Sequence, residues 1–230
     1  MHPLVLAITG ASGVVYATRL LEVLLCAGKD VHLTISPSGK VVLKQELGLD
    51  VDLERFQLDS LRLRVADRPD ELRLAEVRRL HEQIPLGSVT YHHHADFMTP
   101  IASGSFRTSG MVICPCSGST VAGVVHGTGD NLIHRAADVH LKERRKLVLV
   151  PRETPLSVVQ LENLARAAQV GAVVLPAMPG WYHGVQSLQD LIDFVVARIL
   201  DQLGVEHRLM QRWQEAEMPS PRSSPEGRGN

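Results

Sequence analysis

The chain has 230 residues, of which 44% are hydrophobic and 21% charged, with a formal net charge of −1. That balance belongs to a globular protein with room for one large α/β domain or two small ones. The near-zero charge excludes bulk electrostatic binding of nucleic acid, and an aromatic content of 4% leaves little for base stacking. No apolar run approaches the roughly 18–20 residues a membrane helix needs. The three cysteines, Cys26, Cys114 and Cys116, form an odd set behind a start with no leader pattern, which leads us to expect a reducing, cytoplasmic setting.

Along the chain, short apolar runs alternate with helical patterns. Leu4–Ile8 reads as a strand that runs into the small-residue turn Thr9-Gly10-Ala11-Ser12-Gly13 and a helix over Val14–Ala27. Such a turn lets a backbone approach a phosphate at a helix amino end. It lacks the full G-x-G-x-x-G spacing, so a plain βα turn with Ser12 as N-cap is the competing reading. A strand at Val31–Ile35 and a helix at Ser38–Leu47 follow. Residues 49–96 break the rhythm and read as an atypical insert. Its Pro69–Glu82 stretch has Leu72, Ala75, Val77 and Leu80 at the spacing of a surface helix, and a short edge strand lies near Ser88–Tyr91. His92-His93-His94 suggests a metal site at first sight, but neighbouring histidines in a loop rarely chelate alone, and a solvated loop is the better reading.

The alternation then resumes with strands at Met111–Cys114, Leu147–Val150 and Ala172–Leu175, and helices at Ser117–Val125, Asn131–Arg145, Leu156–Gln169 and Ser187–Leu203. The fold class is therefore α/β, a doubly wound parallel sheet. Residues 215–230, rich in Pro, Ser and Gly, read as a disordered tail. Ligands of such sheets bind outside the strand carboxyl ends. Three segments stand there. Cys114–Thr120 offers hydroxyls and amides that could cradle phosphate; its C-x-C pair is weak for zinc, and its cysteines read as buried packers. VLVPRETPLS, Val148–Ser157, puts Arg152 and Glu153 directly after a strand, one able to hold an anion and the other to move a proton. Pro176–Gly184 carries Trp181 and Tyr182, whose phenol could donate to phosphate or pack at an oligomer interface. Arg135, Lys142, Arg144 and Arg145 lie on one helix and, taken alone, read as a solvated face.

The segments ITGASGVVYATRLLEVL, PIASGSFRTSGMVICPCS, DNLIHRAADVHLKERRKLVLVPRETPLS, LENLARAAQVGAVVLPAMPGWYH and DLIDFVVARILDQLG together resemble the UbiX-type flavin prenyltransferases, within the wider flavoprotein group that includes cysteine decarboxylases. The resemblance implies a Rossmann-like, flavodoxin-type core in a single domain over residues 1–210, assembled as a dodecamer. It also implies reduced FMN as prenyl acceptor, dimethylallyl phosphate as donor, and a prenylated FMN made for a UbiD-type decarboxylase, as in ubiquinone synthesis, without a metal. On this resemblance, Gly10, Ala11, Ser12, Ser36, Ser117, Gly118, Ser119, Thr120 and Arg135 bind FMN. Ser103, Lys142, Arg152, Tyr182 and Arg198 take the prenyl phosphate, Glu153 serves catalysis, and Ser12 with Glu46 lies near flavin N5. Two features depart from the pattern. Phe97 stands where an aromatic, often Trp, is expected, and the insert is long. The chain has no Asp-rich motif pair to hold Mg²⁺, so fixed cations and a phenol would have to stabilise a leaving phosphate. A flavin-dependent cysteine decarboxylase fits less well, because Pro100–Ser105 reads PIASGS rather than P-x-A-N-T and His32 lies inside a strand. A non-catalytic FMN carrier would not need Lys142, Arg152, Glu153, Tyr182 and Arg198 together. Donor preference between monophosphate and diphosphate is open at this level.

Overall fold

The structure is a computed structural model and describes residues 2–63, 72–210 and 212. One parallel sheet is built from β1 (Leu4–Ile8), β2 (Val31–Ile35), β3 (Val89–Tyr91), β4 (Gly110–Cys116), β5 (Leu147–Pro151) and β6 (Val173–Val174), in the spatial order β3-β2-β1-β4-β5-β6. The helices are α1 (Val14–Cys26), α2 (Pro37–Leu47), α3 (Leu72–Leu80), α4 (Gly118–His126), α5 (Leu132–Lys142), α6 (Val158–Gln169) and α7 (Leu188–Leu203). Without the edge strand β3, which the insert contributes, the order is that of a flavodoxin-type sheet.

Strands β1 and β5 are apolar and buried at every position because both faces are covered. Leu4, Leu6 and Ile8 face a core completed by α1 and α7, whereas Val5 and Ala7 face one completed by α4 and α5. The chain winds outward from β1 through β2 in one direction and from β4 through β5 in the other, so connections leave β1 and β4 toward opposite faces. A crevice opens between their carboxyl ends.

The insert is less superficial than its sequence suggests. In α3 Val77 of the expected stripe is buried, as is Leu74 from outside it, and both join the core beside α1, whereas Ala75 and Leu80 are only partly covered. The loop reading of the histidine run is corrected at His92. It is buried directly after β3, with Nε2 2.6 Å from Nδ1 of His32 and its ring stacked on that neighbour. Residues 64–71, with the start of the expected Pro69–Glu82 helix, and the tail 215–230 lie outside the described residues. No helix among the described residues is long and apolar enough to cross a membrane.

Candidate active site

Thr9 joins the two strands at the crevice. Its Oγ1 donates to the Pro115 carbonyl at 2.8 Å and accepts from the Ser117 amide at 2.9 Å. This fixes the turn after β1 against the turn after β4, where pairing becomes irregular between Ile113 and Cys116. The Gly10 backbone can then press against α2: a Cβ on Gly10 would stand 2.4 Å from Ser38 Cβ. Between these turns lies a cleft of about 600 Å³, lined among others by Gly10, Ser36, Ser38, Ser117, Ser119 and Thr120. Two helices begin at its wall. Ser36 caps α2 by accepting from the Gly39 amide at 3.0 Å, and Ser117 caps α4 by accepting from Thr120 at 3.3 Å. The Ser117 hydroxyl also lies 3.1 Å from that of Ser119 and 2.9 Å from that of Thr120. First-turn amides lack intrahelical acceptors, and the helix dipole favours negative charge there, so these residue types suit a phosphorylated ligand.

The first turn of α1 is different. Ser12 is not its N-cap; Gly13 is, with a φ of 103° and no side-chain cap. The exposed Glu46, at the end of α2, supplies the acceptor: its carboxylate takes the Gly13 amide at 2.9 Å and the Val14 amide at 3.1 Å. These two amides therefore face a carboxylate from the same chain rather than standing open to phosphate.

Arg152 follows β5 and donates through Nε to the Ser12 carbonyl at 3.3 Å, which brings the β5 end to the β1 turn. Glu153 is exposed beside it, accepting the Thr154 amide at 3.1 Å. The two line a pocket of about 260 Å³ with Pro151, Leu156, Pro176 and Met178, so the base of the Pro176–Gly184 loop forms its wall. A separate, smaller cavity shares Arg152 and Glu153 and is lined by Cys116 of β4. The three cysteines are buried, and burial pushes the thiols of Cys114 and Cys116 well above their usual range. They stay protonated, as packers do.

The remaining expected residues form two further groups. Arg135 on α5 is not merely solvated: its Nε donates to the Ala102 carbonyl at 3.0 Å, and Arg145 donates to the Phe106 carbonyl at 2.7 Å. These guanidiniums clamp the Pro100–Phe106 segment, which carries the exposed Ser103, with Ser105 Oγ 2.9 Å from its own. Phe97, 45% exposed, precedes it. Lys142 is exposed at the end of α5. That end leads toward the start of β5, whereas Arg152 follows its end, so the strand, roughly 16 Å at about 3.3 Å per residue, separates the two. Tyr182 packs edge-on against Phe194 of α7, and Arg198 pairs with Asp201 at 2.8 Å. No ion pair or hydrogen bond among the described residues joins Lys142 or Arg198 to Arg152 or Glu153. The single chain thus assembles Gly10, Ser12, Ser36, Glu46, Ser117–Thr120, Arg152 and Glu153 around the strand ends, and leaves Lys142 exposed at the end of α5 and Arg198 paired with Asp201 on α7. The cleft-lining Ser38 and His134 were missed by sequence reasoning, and so was the cross-strand bonding of Thr9, although its turn was singled out. Only the Ser-Pro-Ser run at 36–38 carried a signal, as a helix start.

The Flavoprotein family model matches residues 1–200. The chain is 43% identical over 208 residues to the flavin prenyltransferase UbiX of Halalkalibacterium halodurans, covering 90% of this chain and 91% of the relative. The chain belongs to the flavoprotein family, among the UbiX-type flavin prenyltransferases. Other members are similarly near: the flavin prenyltransferase UbiX of Pseudomonas aeruginosa is 42% identical over 215 residues, with 94% and 95% of the two chains covered. Among solved structures, AnUbiX (PadA1) in complex with FMN and dimethylallyl pyrophosphate superposes with a TM-score of 0.72 at 35% identity, over 92% of this chain and 97% of that one. A dodecameric FMN-dependent UbiX-like decarboxylase from Escherichia coli O157:H7 gives 0.71 at 37%, over 92% and 98%. The FMN-dependent cysteine decarboxylase TvaF, at 16% identity and a TM-score of 0.51 over 89% and 99%, shares the fold.

Proposed function

We propose that this family member transfers a dimethylallyl group from dimethylallyl phosphate to N5 and C6 of reduced FMN, and that the prenylated flavin passes to a UbiD-type decarboxylase. The observation that carries the reading is the Arg152–Ser12 contact. It sets a fixed cation, with Glu153 next to it, at the edge of a hydroxyl-lined cleft whose volume suits a cofactor.

The residues present fit a flavin phosphate. Ser36, Ser38, Ser117, Ser119 and Thr120 offer hydroxyls, and two helix starts offer amides. Bound there, reduced FMN supplies the nucleophilic ring atoms. Arg152 meets the negative charge that develops on the donor phosphate as the allylic C–O bond breaks. Glu153, an exposed carboxylate in the same pocket, can carry away the proton released on ring closure. Glu46 holds the Ser12–Gly13 turn in place through its two amide bonds. The face of the Phe97 ring can screen an allylic cation from water. Fixed cations and a phenol take the part that Mg²⁺ plays where diphosphates are handled, so the reading needs no metal.

The cationic set becomes whole in a homo-oligomer, expected as a dodecamer. Lys142 and Arg198, exposed on the single chain, reach the pocket of a neighbouring copy. The reading is tested by incubating the protein anaerobically with reduced FMN and dimethylallyl phosphate and passing the extracted flavin to a UbiD-type apo-decarboxylase. Decarboxylase activity is expected. A flavin that leaves the decarboxylase inactive, while authentic prenylated FMN activates it, would contradict the proposal.

A further inference from the structure

The insert reaches the Tyr182 loop through a chain of buried polar contacts. Arg73, on α3, donates through Nη1 to Asp193 Oδ2 at 2.8 Å and through Nη2 to Asp190 Oδ1. Both carboxylates are on α7, and Asp193 is wholly buried, Asp190 nearly so. They do different things. Asp193 is also held by Arg19 of α1, through Nε at 2.7 Å and Nη2 at 3.2 Å, so its charge stays compensated without Arg73. Asp190 turns the other way. Its Oδ2 accepts the amides of Gln186 at 2.8 Å and Ser187 at 2.7 Å, and the Ser187 hydroxyl at 2.9 Å. Its backbone carbonyl receives His183 Nε2 at 3.2 Å.

His183 continues the chain to Tyr182. The imidazole stacks on Phe194, with ring centroids 5.1 Å apart, and the Tyr182 ring rests edge-on against both, at 6.0 Å from His183 and 5.7 Å from Phe194. On its third side the phenol ring meets Gly180, where a Cβ would stand 2.9 Å from Phe194 Cζ and 3.1 Å from Tyr182 Cε1. The same loop, through Pro176 and Met178, walls the Arg152–Glu153 pocket. An exposed loop tip is ordinarily free to move. This one is tied down at its far end by an acid whose cationic partner comes from the insert.

We infer that Arg73 is a positioning residue: through Asp190 it holds residues 183–187 and so fixes the phenol of Tyr182 for the donor phosphate. This rests on the proposed role of Tyr182 in phosphate binding. It also gives the insert a purpose, the rigidity of a reaction loop.

The test compares Arg73→Ala, Arg73→Lys, Tyr182→Phe and the Ala/Phe double variant. Hydrogen exchange of residues 183–190 reports the linkage without any turnover. In Arg73→Ala these amides should exchange faster while β1 and β4 stay protected. FMN affinity should stay within about twofold, and KM for dimethylallyl phosphate should rise roughly 10- to 100-fold, the scale of a displaced positioning group, with a smaller change in kcat. Arg73→Lys should recover most of the loss, and the double variant should be no worse than Tyr182→Phe. Unchanged exchange, an unchanged KM, or full additivity with Tyr182→Phe would overturn the inference. Should Arg73→Ala fail to fold, Asp190→Asn decides in its place, with a raised KM supporting the inference and a wild-type KM refuting it. A wild-type protein without transfer activity would remove the reading of the site, while the exchange rates would still report the linkage.

Discussion

Arg152 and Glu153 show how much of a site a single residue pair can declare. Their place was legible because a run of four apolar residues stops at a proline and two opposite charges follow, which in a parallel sheet means the ligand edge. What each contacts was not legible. Arg152 is bonded to a carbonyl 140 positions away, and Glu46 caps α1 from 33 positions away; no local pattern encodes such pairs. Arg152→Ala should lower kcat/KM for the donor roughly 100-fold, as loss of one charge-stabilising donor does, with FMN retained. Steady-state kinetics at wild-type rates would remove it from the phosphate set. Glu153→Gln should bind FMN normally and lose prenylated product by roughly 100-fold or more, the scale of general acid–base catalysis. Undiminished product formation would assign the proton to another acceptor.

At the scale of elements, the buried strands announced themselves, and the edge strands in place more than in length: β3 falls on the expected Ser88–Tyr91 edge and β6 within Ala172–Leu175. β1 and β2 match the apolar runs residue for residue because both faces are covered. β4 continues through Pro115 to Cys116, where a proline in the sequence suggested a stop; Thr9 accepts and donates there in its place. β6 is two residues long, Val173–Val174, since it pairs on one side alone, with β5. The joint between β1, α2 and α4 is the element-level device that shapes the cleft, and Gly10 is its narrowest point. Gly10→Ala forces its new methyl against Ser38. It should cost about 1–3 kcal/mol, the usual penalty of overpacking, and weaken FMN binding through the displaced Ser36–Ser38 turn. Denaturant melts and flavin titration check both; a variant as stable and as flavin-competent as wild type would contradict the role given to this contact.

Over the whole molecule, burial favours the neutral form of five histidines. His32, His92, His94, His134 and His140 are all pushed below their ordinary value, first by burial, and His92 reaches about 4, with His32 beside it adding to the effect and Asp96 opposing it. The unfolded chain takes up these protons near pH 6.5, so their stabilisation is complete above that value and is lost as pH falls toward 4. For His92 alone the difference is on the order of 3 kcal/mol, a substantial share of a typical domain's 5–15 kcal/mol. Denaturant melts should show stability falling between pH 6.5 and 4, with a smaller fall in His92→Gln; equal stability at the two ends would contradict it. Depressed carboxylates such as Asp190, held ionised chiefly by Arg73, act only below this window.

The same scale exposes what the sequence hid about the site. Strand–helix alternation sufficed for the sheet and its ligand edge, but Lys142 stands apart from Arg152 because α5 ends on the side of the sheet where β5 begins, and Arg198 lies within α7, paired with Asp201. The central claim is the transfer itself, and one measurement addresses it: anaerobic incubation with reduced FMN and dimethylallyl phosphate or diphosphate, with and without EDTA, followed by mass spectrometry of the extracted flavin. The account predicts a flavin heavier by one C5 prenyl unit, formed equally in EDTA. FMN that binds and returns unmodified with both donors would contradict it.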